Sequence, residues 1–162
     1  MVDSLPYGEL CQPCVDLSVE GLKLLQSTGY PCYFVPERPQ TLQKDYVDLV
    51  ARQIALAFGR GEKPLTKGQM RDFFAEVRRL AAVVARVPES DRKLDSTALA
   101  TLKAHANYRL NKRSVPTSFK RFIDGNVDSV LKLDTAAALR AFEQHFEAVV
   151  AYSEGVLKER ER

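Results

Sequence analysis

Leu65-Thr66-Lys67-Gly68-Gln69-Met70-Arg71-Asp72-Phe73-Phe74-Ala75-Glu76-Val77-Arg78-Arg79-Leu80-Ala81-Ala82-Val83-Val84-Ala85-Arg86-Val87-Pro88 carries the strongest structural signal in the chain. The Thr66 hydroxyl can accept from free amides of a first helical turn, Gln69 stands at the capping-box position, and Leu65 can pack on Met70 as a staple. Met70, Phe73, Phe74, Val77, Leu80, Ala81, Val84 and Val87 then recur at three- and four-residue steps until Pro88, which cannot continue a helix. The stretch predicts a helix over 66–87 with one apolar face.

The same period extends outward. Tyr46, Val47, Val50, Ile54, Ala57 and Phe58 form a stripe ending before Gly59. Leu99, Leu102, Ala106 and Leu110 predict a helix over about 95–111. A fourth follows Pro116, with Phe119, Phe122, Ile123, Val127 and Val130 inward and Gly125 weakening it. Asp134 is a natural cap for a fifth, whose stripe is Ala138, Phe142, Phe146, Val149, Tyr152 or Ser153, and Val156. Five such helices without an alternating strand pattern predict an all-α fold, a single compact bundle over residues 42–158. The short connections favour antiparallel neighbours. Residues 1–41 are different: Pro6, Gly8, Pro13, Gly29, Pro31, Pro36 and Pro39 interrupt them, leaving an irregular N-terminal arm. One short helix fits from Val15 to Gln26, and Tyr33-Phe34-Val35 reads as a short strand or an extended segment.

A chain of 162 residues suits one domain. No run approaches the ~20 apolar residues of a bilayer helix, and no basic stretch feeds an apolar one at Met1, so the expected location is the cytoplasm, without a membrane partner. The formal charge of +3 conceals an uneven distribution. From Arg60 to Arg121 fifteen basic residues face six acidic ones, a net of +9, while the segments on either side carry −3 each. A basic centre of this kind is the footprint of a chain that meets a polyanion. Lys67, Arg71 and Arg78 share one flank of the 66–87 helix. Arg109, Lys112 and Arg113 cluster at the end of the next helix, with Lys103 a turn or two earlier, and Lys120 and Arg121 follow. Cations also favour helix C-termini in any protein, so dipole compensation is the plain alternative for the Arg109 cluster. With no RNP aromatic pattern, zinc finger or Gly-x-x-Gly clamp, such residues would read phosphates and sugar hydroxyls rather than bases. Tyr108 can either stack on a base or pack between helices.

Chemistry has few candidates. Cys11 and Cys14 form a Cys-x-x-Cys pair with Cys32 as a third thiol, but tetrahedral zinc needs a fourth ligand. Reduced cysteines are the plain expectation, with structural zinc or a redox pair as alternatives, and no metal or cofactor is expected. Only His105 and His145 could serve as imidazole bases; His145 lies between Glu143 and Glu147, which an amphipathic helix explains without catalysis. Phosphate-binding glycine loops, nucleophile elbows and His-Glu-x-x-His are absent from the sequence.

Three stretches together resemble a known family. Thr66, Gln69 and Arg71 fit its Thr-x-x-Gln-x-Arg helix opening, and Tyr108 followed by Arg109, Lys112 and Arg113 fits its tyrosine with a basic cluster. Phe146, Glu147, Ala148, Ala151 and Tyr152 fit its closing Phe-Glu-Ala-x-x-Ala-Tyr. On these marks, over about residues 43–155, the chain resembles the small helical subunit of the type III-A CRISPR (Csm) effector complex, an RNA-guided assembly of antiviral defence. The resemblance implies a non-catalytic protein present in several stacked copies beside the backbone and large subunits, its basic face toward guide RNA and target RNA. Target cleavage and signal synthesis belong to the other subunits. Two rivals stand beside it: a helical adaptor whose basic face meets an acidic protein, and a small enzyme uniting His105 or His145 with Glu143 or Glu147.

Overall fold

The computed structural model describes residues 33–35, 38–60 and 63–159. The three cysteines and the proposed helix from Val15 to Gln26 lie outside them. Two short strands, β1 (Phe34–Val35) and β2 (Arg38–Leu42), pair antiparallel with Phe34 opposite Leu42. Five α-helices follow: α1 (Leu49–Phe58), α2 (Lys67–Ala85), α3 (Ser96–Asn111), α4 (Thr117–Leu133) and α5 (Ala136–Ser153). The all-α bundle is thus the observed architecture, with a small hairpin on its side.

α5 is the central element, packing on α1, α2 and α4, while α3 leans on α4. The apolar stripes meet in a core of interlocked aromatic rings. Phe58 lies edge-on to Phe119 and Phe122, Phe122 edge-on to Phe146, and Phe73 edge-on to Phe119 at a centroid distance of 4.9 Å. Edge-to-face contacts place positive ring edges on negative faces, adding to the burial of large apolar area. Tyr33 is part of this core: its hydroxyl donates to Asn126 Oδ1 at 2.6 Å, while Asn126 Nδ2 donates to the Phe122 carbonyl, so both buried polar groups are satisfied.

Local chemistry sets the helix ends. At α2 the full capping box forms: the Gln69 amide donates to Thr66 Oγ1 at 3.2 Å, and the Thr66 amide donates to Gln69 Oε1 at 3.1 Å. Leu65 and Met70 are both buried, as the staple requires. The stripe from Tyr46 to Phe58 is not one helix. Asp48 has a non-helical backbone that separates a 3₁₀ turn (Lys44–Val47) from α1, and its carboxylate accepts from Arg52 and from the Tyr152 hydroxyl. Val47 consequently turns outward while Tyr46 stays in the core. Asp134, contrary to the expectation from its position, does not cap α5. Its backbone is left-handed, φ 50°, and closes α4; Thr135 caps α5 by accepting from the Ala138 amide. Asp tolerates this conformation better than most residues and suits a helix exit.

His145 is completely buried, and its Nδ1 donates to the Tyr46 carbonyl at 2.6 Å, tying α5 to the 3₁₀ turn. Burial away from water lowers its pKa from 6.5 to about 4, the hydrogen bond to Tyr46 acting in the opposite direction. The unfolded chain takes up this proton near 6.5 and the folded one only near 4. The stability His145 provides is therefore whole above the upper value, declines as pH falls, and is exhausted below the lower one. Urea unfolding should show a loss of about 2 kcal/mol between pH 7 and pH 5, and a His145→Gln variant should show a much flatter profile; an equal slope in both proteins would contradict the assignment.

Candidate nucleic-acid interface

One end of the bundle is knotted by backbone and amide hydrogen bonds. The Leu65 amide donates to the Phe58 carbonyl, and the Lys67 amide donates to Lys158 O at 3.0 Å, forming an isolated bridge between residues 66 and 158. Gln69, whose Oε1 already serves the cap, uses Nε2 to donate to Ser114 O at 2.7 Å. The start of α2, the turn between α3 and α4, and the segment after α5 are thereby held together. Gly59 permits the last approach, since a Cβ there would lie 2.6 Å from Val156 Cγ1.

This junction gathers two sets of cations on opposite flanks of the α2 N-terminus. On the flank toward α5, Lys67 Nζ lies 3.3 Å from Glu154, and Arg71 lies 3.0 Å from the same carboxylate and 3.8 Å from Glu159. Hydrogen bonds from Arg71 and Lys67 hold the Glu154 carboxyl below the usual carboxylate range. The amides at the start of α2 are also engaged, by Thr66 and by the Lys158 carbonyl. The cations and amides at this helix start are thus already served by the chain's own acceptors.

On the other flank stand Arg109, Lys112 and Arg113, all exposed, and none has a carboxylate partner among the described residues. Their placement follows from the way α3 ends. The Arg113 amide donates to Leu110 O at 2.8 Å and the Ser114 amide to Arg109 O at 3.0 Å, the paired bonds of a Schellman turn. Arg113 occupies its left-handed position with φ 53°, where glycine is usual and a side chain costs about 1 kcal/mol. Lys112 Nζ sits 5.7 Å from the ring centroid of Tyr108, which is 60% exposed.

The remaining basic candidates are dispersed. Arg78 lies farther along α2, over the Phe74 ring, and lines a cleft of about 1760 Å³ between α2 and α5 that also holds Arg92, Lys93, Arg140, Glu143 and Glu147. Lys103 is bonded to Asp128 at 2.6 Å across α3 and α4, and Lys120 is paired with Asp124 within α4. Arg121 is exposed in the first turns of α4. Between α2 and α3 runs a second groove of about 630 Å³, floored by Phe73 and Leu102, with Tyr108 and Arg109 along it. His105 lines this groove and is exposed, whereas His145 is sealed in the core away from solvent. Among the described residues, no three His, Cys, Asp or Glu side chains are grouped to hold a metal ion, and no helix is long and apolar enough to cross a membrane.

Sequence reasoning missed Glu154 and Glu159, because the Arg71–Glu154 pair spans 83 positions and leaves no local pattern. Exposed pairs of this kind contribute little to folding. A Glu154→Gln, Glu159→Gln variant should therefore keep its melting temperature within a few degrees, yet require more salt to leave a heparin column, since Lys67 and Arg71 become available; unchanged elution would contradict the masking.

The family model described as Csm2 Type III-A matches residues 43–155, well over half of the chain. No curated protein and no solved structure matches. The matched segment runs from the entry of the 3₁₀ turn through the last turns of α5, so it contains all five helices and both cation sets. The chain belongs to the Csm2 Type III-A family, the small subunits of type III-A CRISPR effector complexes.

Proposed function

We propose that this subunit is non-catalytic and holds the sugar-phosphate backbone of guide RNA and target RNA on the end of α3, while other surfaces contact the backbone and large subunits and further copies of itself in the cytoplasm. The observation that carries the reading is the set Arg109, Lys112 and Arg113: three exposed cations within one turn, without a carboxylate partner among the described residues. Phosphates attract such charges irrespective of base sequence, and each ion pair formed releases condensed counterions. Arg113 adds a further argument. An arginine in a backbone position suited to glycine is a local cost, and such costs are typical of side chains kept for binding.

Lys67 and Arg71 form a second set, reached when RNA phosphates replace the carboxylates of Glu154 and Glu159. Arg78 and Arg121 extend the basic field, and Lys103 and Lys120, each held by an aspartate, contribute to it from the α3–α4 side. The rigid bundle limits the ordering cost of binding, because the α3 end is fixed through Ser114 by Gln69.

The test replaces the α3 set alone. In an Arg109→Gln, Lys112→Gln, Arg113→Gly variant, the glycine relieves the left-handed position, so helicity and melting temperature should be kept. RNA affinity should fall, and the slope of log K against log salt should shrink by about 2, as three phosphate contacts to a single strand require. An unaltered slope and affinity would remove RNA from the reading and leave the acidic-protein adaptor in its place.

A further inference from the structure

We infer that the groove between α2 and α3 receives an unpaired nucleobase, stacked against Tyr108, and favours bases that carry an exocyclic amino group. The inference rests on the RNA-binding reading above and deepens it from phosphate contact to base contact. Its geometry is independent of that reading. The groove, about 630 Å³, is within the ~300–1,000 Å³ range of small-molecule sites. Its floor is apolar, from Phe73 and Leu102, and Tyr108 lies along it with 60% of its surface open to solvent. A tyrosine this exposed adds little to the core, whereas an aromatic face is a platform for any base.

Charge sorts the two halves of a nucleotide at this place. Arg109 lines the groove, and Lys112 and Arg113 follow it at the end of α3, with Lys112 Nζ 5.7 Å from the Tyr108 ring centroid, so a phosphate held by these cations leaves its base within reach of the ring. The groove itself carries the carboxylates of Asp72 and Glu76, which repel phosphate. Glu76 accepts two hydrogen bonds from Arg79, at 2.6 and 3.0 Å, and these keep its carboxyl below the usual range and ionised at neutral pH. No hydrogen bond or ion pair engages the Asp72 side chain among the described residues, so its oxygens remain as acceptors. A carboxylate accepts from the amino groups of cytosine, adenine or guanine and has nothing to accept from the 4-position of uracil. His105 also faces the groove.

Fluorescence anisotropy of the full chain with short oligo(C) and oligo(U) at fixed salt distinguishes the outcomes, because these bases differ at position 4 in having an amino group or an oxygen. The wild type should prefer oligo(C) about five-fold. Tyr108→Ala should weaken both by about ten-fold, and Tyr108→Phe should retain most of the affinity. Asp72→Ala should bring the C-to-U ratio close to one while strengthening oligo(U) binding, as a repelling charge is lost. Salt-dependent binding through Arg109, Lys112 and Arg113 that is indifferent to Tyr108→Ala, or equal for the two oligonucleotides, would overturn this inference and leave the proposed function standing. Binding that does not depend on those three cations would overturn both.

Discussion

Gln69 is the residue on which the arrangement of this molecule turns. One side-chain amide performs two tasks: its oxygen completes the cap of α2 by accepting from Thr66, and its nitrogen donates to the carbonyl of Ser114 across the bundle. An amide is the group for this, because it offers acceptor and donor on opposite sides of one planar unit. The capping box thus ceases to be a local device. It fixes the register between the start of α2 and the exit of α3, and the neighbouring bond from Lys67 to Lys158 adds the segment after α5 to the same junction.

That junction determines where charge can act. The central segment of the chain has a large basic excess, yet folding neutralises much of it in place, pairing Lys67 and Arg71 with Glu154, Lys103 with Asp128, and Lys120 with Asp124. What remains without a carboxylate partner among the described residues includes a compact set at the α3 terminus, held out from the body by a Schellman turn. Acidic side chains of α4 and of the segment after α5 take up part of the basic belt, and the groove beside the α3 terminus carries carboxylates.

Much of the fold was legible because helices announce themselves locally. Thr66 and Gln69, the 3.6-residue stripe from Met70 to Val84, and Pro116 before α4 all express short-range physics, and their elements stand where that physics places them. Two local signals misled. Tyr46 and Val47 shared the stripe of α1 although Asp48 breaks the helix between them and the rest, and Asp134 preceded α5 although its left-handed backbone belongs to the exit of α4. The site was less legible for a different reason. Clustering of Arg109, Lys112 and Arg113 follows from helical spacing, but the engagement of Lys67 and Arg71 by Glu154, and the reach of Gln69 to Ser114 over 45 positions, arise only from tertiary packing.

On the proposed reading, RNA lies on the end of α3 in the assembled effector complex. Ultraviolet crosslinking of the complex loaded with guide and target RNA, followed by mass spectrometry of the RNA-linked peptides, tests it most directly. Crosslinks should concentrate between Tyr108 and Arg113. Crosslinks confined to the cleft between α2 and α5, around Arg92, Lys93 and Arg140, with none on the α3 terminus, would contradict it.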